Sequence, residues 1–192
     1  MSNYGITRPQ ALDLVKSWTE NPNLVKHMLA VEAQMRALAD HFDADADLWG
    51  LVGLLHDADY QRYQDQPQKH PSDIIQELEN RHVDERIIQA IRSHAWQHQD
   101  KAPQPDSKLD WSLYCSDDLS GLIIAVALVR PDKKLSSVSV DSVLKKWDEK
   151  SFASGASREP AELSSEKLGI SKEELVNICL TALQSISDDL GL

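Results

Sequence analysis

Histidine and aspartate residues that could bind a metal ion lie on, or directly after, apolar segments of the chain. His27 lies at the edge of an apolar stripe, His56 and Asp57 directly follow a strongly apolar segment, and Asp117 precedes another apolar run. Imidazole nitrogens and carboxylate oxygens are the usual ligands of divalent Zn, Mn, Fe, Co or Ni. Titratable residues that follow a buried segment are typical of a functional site. These four residues are therefore predicted to bind one metal ion.

Two further histidines could bind a second ion. His70 lies in the segment His-Pro-Ser-Asp-Ile-Ile, and His94 is three residues after Ile91 on the apolar face of a predicted helix. A second ion would take both imidazoles and share Asp57 as a bridge. The remaining histidines lie in polar contexts and are predicted to be surface residues: His41, His82 and His98.

The segments that carry these residues show dense helix signals and almost no strand signals. Thr7 begins a helix that is predicted to run through Trp18, and Asn21-Pro22 begins one that runs to about Phe42. The second helix has one continuous apolar stripe: Leu24, Met28, Val31, Met35, Leu38 and Phe42. The next segment, 48–55, is apolar on nearly every side, as expected of a buried helix. We therefore predict an all-α fold.

Further helix starts are predicted along the rest of the chain. They lie at His70-Pro71 (through about Asn80), at Asp84, at Leu109, at Ser139 or Asp141, and at Ser171, where Ser-Lys-Glu-Glu is a capping box for the final helix. The helix from Leu109 carries Asp117 and the apolar run that follows it. No internal repeat or long linker divides the chain, so residues 1–192 are predicted to form one domain. Its motif region spans 24–128, and a C-terminal helical extension spans 139–192.

Composition and charge restrict the function classes. The chain has 192 residues and a formal net charge of −11. A strongly acidic surface repels phosphate backbones, which argues against a nucleic-acid polymer as partner. The longest uncharged apolar run, about Leu119 to Val129, is too short to span a bilayer. The N-terminus has no signal-peptide pattern, so the protein is expected to be cytoplasmic and free of membrane contacts. Homo-oligomerisation is left open.

The order of the candidate ligands resembles that of the HD-domain phosphohydrolase superfamily. The resemblance rests on His27, His56-Asp57 and Asp117, and the additional His70 and His94 are similar to the branch that has a binuclear centre. It covers roughly residues 24–128 and extends through Arg130-Pro131 and 145–158, a stretch typical of a compact bacterial group of predicted HD hydrolases. It implies a helical bundle with the metal site in a central cleft.

Two details of the motif bear on the ligands. In this family, the last aspartate is typically followed by any residue and then leucine, so Asp117-Asp118-Leu119 favours Asp117 over Asp118 as the ligand. The binuclear branch often reads His-Asp-Ile-Gly, whereas this chain has alanine and Asp59 after Asp57. That departure puts the second ion in question. It also places an additional carboxylate beside the site.

The resemblance implies metal-dependent hydrolysis of a phosphate ester, either a monoester or a diester, on a small metabolite or nucleotide. The cofactor would be one or two divalent ions of Mn, Co, Ni, Zn, Mg or Fe. Asp57 would serve catalysis by holding or bridging the metal, and Asp59 could act as a general base, as an orienting residue or only in a turn. Four basic residues could neutralise the substrate phosphate or could simply be solvated: Lys133, Lys145, Lys146 and Arg158.

Three other functions stay open at this point. Relatives with a binuclear site include mixed-valent di-iron oxygenases, which would require redox-active iron and oxygen. A nucleotide-sensing module would bind a phosphorylated signal without turnover, but it would not need a complete set of metal ligands. A purely structural domain is disfavoured for the same reason.

Overall fold

The computed structural model describes residues 4–99 and 102–192, and its regular elements are helices. The α-helices are α1 Arg8–Trp18, α2 Pro22–His41, α3 Ala46–Leu55, α4 Ser72–Asn80, α5 Glu85–His94, α6 Lys108–Leu128, α7 Val140–Leu144, α8 Glu159–Glu162, α9 Ser164–Lys167, α10 Lys172–Ser185 and α11 Ser187–Leu190. Short 3₁₀ turns lie at Tyr60–Tyr63, Pro67–Lys69 and Leu135–Ser137. No strand occurs in either described range, which confirms the predicted all-α class.

Side-chain caps set the starts of the helices that lead to the site. Thr7 and Gln10 form a capping box at α1, and the Asn21 side chain accepts a hydrogen bond from Asn23 N–H before α2. Asp45 caps α3, and Asp84 caps α5 as predicted. Because each cap satisfies backbone N–H groups that the helix itself leaves unpaired, the starts follow from local sequence.

Two glycines allow α3 to lie directly against α2. A Cβ atom on Gly53 would lie 2.6 Å from the carbonyl oxygen of Val31, and one on Gly50 would lie 2.6 Å from Nε of Arg36. Such close contact between the helices requires residues without a side chain at both positions. The approach brings the N-terminal part of α2, which carries His27, next to the end of α3.

Helix α6 is the central helix of the core. It packs against α2, α5, α8 and α10, and most of its residues from Leu109 to Ala127 are buried. By length and mean hydropathy it could also cross a membrane, which differs from the expectation drawn from the shorter apolar run. However, 67% of its most apolar window is buried inside the protein, so these side chains form the core of a folded helical domain.

The C-terminal helices pack on the helices that carry the site. Helix α10 lies against α2 and α6, and α11 lies against α2. Ser171 caps α10 through a hydrogen bond from Glu174 N–H, but the prediction that this helix is the last was wrong, because α11 follows it. The short helices α8 and α9 were not predicted. They have few residues, and no apolar stripe in the sequence predicts them.

Candidate metal centre

Six side chains from five helices and their ends converge on one region. His27 lies in the second turn of α2, Asp117 lies midway along α6, and His94 ends α5. His56 is the C-terminal cap of α3, and Asp57 follows it. His70 lies directly before α4, joined to Pro71 by a cis peptide bond. The structure thus brings together every residue that was predicted as a metal ligand.

The first group of donors lies between α2, α3 and α6. The Nε2 atoms of His27 and His56 are 3.3 Å apart. Oδ1 of Asp117 lies 3.1 Å from the first of these nitrogens and 3.3 Å from the second. Oδ2 of Asp57 lies 3.6 Å from His27 Nε2. Two imidazoles and two carboxylates therefore face one common point.

The second group of donors lies on the other side of Asp57. The Nε2 atoms of His70 and His94 are 3.0 Å apart. Oδ1 of Asp57 lies 3.1 Å from His70 Nε2 and 3.6 Å from His94 Nε2. The same oxygen is 3.6 Å from His56 Nε2. Asp57 thus lies between the two groups, with Oδ1 near imidazoles of both and Oδ2 near His27, where a carboxylate could bridge two ions.

Each of the four imidazoles is oriented by a hydrogen bond at Nδ1. His56 Nδ1 lies 2.8 Å from the Gly53 carbonyl oxygen, and His94 Nδ1 lies 2.5 Å from the Ile91 carbonyl oxygen. His70 Nδ1 is 2.6 Å from Asp59, and His27 Nδ1 is 3.1 Å from the Ser120 hydroxyl. Asp59 and Ser120 both lie outside the four-residue motif. Carbonyl and carboxylate oxygens only accept, so Nδ1 donates in three of the four rings.

This orientation leaves the Nε2 lone pairs directed at one another. Lone pairs that face each other at such distances repel unless a proton or a cation lies between them. Histidine ligands typically donate their other ring N–H to a carbonyl or carboxylate, as these do. Nitrogen and oxygen donors from two groups that share a carboxylate fit one or two divalent first-row cations.

The buried carboxylates and imidazoles of the cluster strongly affect each other's pKa values. Burial opposes protonation of His56, but Asp57 and Asp117 outweigh it and raise the pKa of His56 to about 9. Burial likewise opposes protonation of His70, and hydrogen bonds to Asp57 and Asp59 raise its pKa to about 9. Burial also opposes ionisation of Asp57 and Asp117, yet the surrounding imidazoles hold the pKa of both carboxyls below the usual range.

Asp59 lies behind His70, and its side chain does not line the cavity. Its side chain is fully buried, with Oδ1 on His70 Nδ1. Oδ2 accepts the backbone N–H groups of Asp73 and Ile74 at 2.9 and 3.1 Å. Both oxygens are therefore occupied by the first turn of α4 and by the imidazole that it orients. Of the roles considered for Asp59, this geometry favours orientation of His70 over proton transfer to a substrate.

Asp118 faces the cavity instead of the cluster. Its side chain lines the open space beside Asp117 and accepts a hydrogen bond from the backbone N–H of Ser157. Burial and the neighbouring Asp117 raise the pKa of Asp118 to about 7. The sequence motif favoured Asp117 over Asp118 as the ligand, and the structure places the Asp118 side chain on the cavity wall.

The donor groups open into a cavity of about 680 Å³. Its walls include ligands from both groups, Tyr60, Tyr114, and the small residues Ala153 and 155–157. The four basic residues considered for substrate binding do not line it: Lys133, Lys145, Lys146 and Arg158. The Lys146 ammonium pairs with Glu149 at 2.7 Å, and the Arg158 guanidinium bonds backbone carbonyls. None of these four side chains therefore lies at the cavity wall.

Comparison with known proteins gives one result that bears on the whole cluster. A search of curated proteins finds no match to this chain. The family described as "HD domain" matches residues 24–127, which is more than half of the chain and includes all six candidate ligands. The chain belongs to the HD-domain family.

Proposed function

We propose that this protein is a metal-dependent phosphohydrolase that acts on a small phosphorylated metabolite or nucleotide. The observation that carries the proposal is the pair of donor groups on either side of Asp57, opening into a cavity of about 680 Å³. When bound there, divalent cations supply Lewis acidity to a phosphoryl oxygen and acidify water. Hydrolysis of phosphate esters needs mainly positioning and charge neutralisation from the protein.

The ligands divide between two positions in this proposal. His27, His56 and Asp117 would hold one cation, and His70 and His94 would hold the second. Asp57 would contribute to both, since its carboxylate lies between the two groups. The chelating residues come from separate helices of the core, so the packing of these helices fixes their separation before any cation binds.

Asp118 is the side chain that could hold or release a proton beside the reacting phosphate. It lines the cavity, and its pKa of about 7 arises from burial and from Asp117. A carboxylate that lines the cavity in this way is placed to act as a general base. A cation bound at Asp117 would reduce the repulsion and lower the pKa of Asp118, which would favour the carboxylate form.

The size and charge of the protein favour a small substrate. The cavity is within the range of sites that bind small molecules. A net charge of −11 disfavours nucleic-acid polymers. We further propose a cytoplasmic location, since both cysteines, Cys115 and Cys179, are buried and unpaired, as is usual in a reducing compartment.

A phosphate-release screen tests the proposal. The protein is freed of metal with a chelator and reloaded separately with Mn, Co, Ni, Zn, Mg or Fe(II), and phosphomonoesters and phosphodiesters are offered to each form. We expect phosphate release that depends on the metal and is lost in Asp57→Ala. The matched control is Asp65→Ala, because Asp65 is exposed and does not line the cavity. Oxygen consumption with iron and no ester hydrolysis would favour the oxygenase instead.

A further inference from the structure

Most of the cavity wall outside the candidate ligands is uncharged. Tyr60 and Tyr114 contribute aromatic surface, and Gly121, Gly155 and Ala156 contribute small side chains or none. In the described part of the chain, no lysine or arginine lines this space. Apart from the ligands, the carboxyl and imidazole side chains that line it in the described part of the chain are Asp118 and the exposed His98.

Arginines near the cavity are held elsewhere by their own partners. The Arg62 guanidinium lies 3.9 Å from the centre of the Trp18 ring and 3.4 Å from Asp73. The Arg158 guanidinium donates hydrogen bonds to three backbone carbonyls of the segment 152–156, at 2.5 to 2.9 Å. Both guanidinium groups face these partners, and neither lines the cavity.

The uncharged wall is a fixed part of the structure. Hydrogen bonds from the Arg158 guanidinium hold the segment 152–156 in place. The backbone N–H of Ser157 donates a hydrogen bond to Asp118 on α6. A Cβ atom at Gly121 would lie 3.5 Å from the Ala156 side chain, so the segment and α6 are in contact there. The segment 152–157 lies outside residues 24–127, the part that matches the family. The chain's own C-terminal region therefore shapes the cavity.

We infer, on the basis of the proposed function, that the preferred substrate carries a single phosphoryl group attached to an uncharged organic group. The cations at the two donor groups would neutralise one phosphoryl group. A second phosphate would extend along a wall that offers no lysine or arginine among the described residues. An anionic group in a partly buried site without a neutralising partner is costly, so the wall selects against di- and triphosphates.

The direct test compares the mono-, di- and triphosphate of one nucleoside, with p-nitrophenyl phosphate as a second monoester. Each is assayed for kcat/KM with the most active metal held in excess, so that chelation by the polyphosphates does not deplete it. We expect kcat/KM for the monophosphate to exceed that for the di- and triphosphate by at least about tenfold, which corresponds to 1.4 kcal/mol.

A positive charge added to the wall should weaken this preference for the monophosphate. Gly155→Lys places an ammonium group at the cavity, and a Cβ atom at Gly155 meets nothing within 4 Å, so the change should be tolerated. We expect kcat/KM for the diphosphate to rise relative to the monophosphate. Ser154→Lys is the matched control, because Ser154 is exposed and does not line the cavity. It should leave the ratio unchanged.

The outcomes separate this inference from the function on which it rests. Equal or faster hydrolysis of the di- or triphosphate by the wild-type protein would overturn the inference and leave the phosphohydrolase proposal intact. If Gly155→Lys and Ser154→Lys changed the diphosphate-to-monophosphate ratio of kcat/KM equally, the inference would also be overturned. The effect of the charge would then not depend on its position in the cavity wall. Absence of phosphate release from every ester with every metal would overturn both proposals.

Discussion

Four histidines in this protein present the same ring atom to the same small volume. Their Nδ1 atoms are held by Ser120, Gly53, Asp59 and Ile91, which leaves Nε2 of each ring directed inward. Residues that served only as core would have no need of this common orientation. At the scale of single residues, the hydrogen bonds behind the ligands are therefore as informative as the ligands themselves.

Asp59 gives a direct test of this idea. In Asp59→Ala, His70 loses the carboxylate at Nδ1 and α4 loses the acceptor for two of its N–H groups. We predict that affinity for the second ion falls roughly 10- to 100-fold while the first ion still binds. Calorimetric titration of the metal-free protein with Mn or Co measures the affinities of both ions. Asp65→Ala is the control, and an unchanged second step in Asp59→Ala would contradict the orienting role.

The raised pKa values of His56 and His70, about 9 for each, predict a pH dependence. Both lie above the unfolded value of about 6.5. Protonation of these groups therefore stabilises the metal-free fold fully below about pH 6.5, and this contribution is lost as the pH rises through about 9. The melting temperature of the metal-free protein should fall between pH 6.5 and 9.5.

Metal binding should show the opposite trend over the same interval. A cation must displace the protons on His56 and His70, so the apparent metal affinity should rise with pH. Asp117→Asn removes a carboxylate that raises the pKa of His56 and should flatten the decline in melting temperature. Thermal unfolding with and without Mn at several pH values checks both trends. A metal-free protein that becomes more stable toward pH 9.5 would contradict the account.

At the element scale, the contact between α2 and α3 determines whether His27 and His56 meet. Gly53→Ala would place a methyl group 2.6 Å from the Val31 carbonyl oxygen, so the helices must separate. We predict a loss of about 1–3 kcal/mol in the free energy of unfolding and weaker binding of the first ion. Denaturant unfolding and metal titration measure these effects. Gly155→Ala should have neither effect, since its Cβ would meet open space.

Local signals made most helix starts predictable, and tertiary contacts account for the rest. Asn21 and Asp84 are close in sequence to the backbone N–H groups that they cap, so the sequence alone predicts the starts of α2 and α5. Asp59 instead caps α4 from 14 residues away, a contact that no local pattern encodes. The helices α8 and α9 are similarly held by packing against α6.

The same distinction applies to the site. The metal ligands could be proposed from residue type and order because a divalent ion demands those donors. The place of Arg158 could not, because a basic residue in an acidic chain suggests a phosphate contact until the carbonyls around its guanidinium are seen. Asp118 likewise depends on its burial and on the segment that passes beside it.

At the scale of the whole molecule, the C-terminal region completes a cavity whose ligands lie earlier in the chain. Arg158→Ala would release the carbonyls of the segment 152–156 and loosen one wall. We predict about a tenfold increase in KM, equivalent to about 1.4 kcal/mol, with unchanged metal stoichiometry. Steady-state kinetics and metal analysis check this. The control is Lys150→Ala, because Lys150 is exposed. An unchanged KM would show that the wall does not depend on Arg158.

The central claim is that two donor groups share Asp57 and bind two divalent cations. Its most direct test is the number of ions bound per chain when the metal-free protein is titrated to saturation with Mn or Co. The account predicts two ions in the wild type, one in His70→Ala and in His94→Ala, and severe loss of binding in Asp57→Ala. A single ion in the wild type, unchanged in both histidine variants, would contradict it.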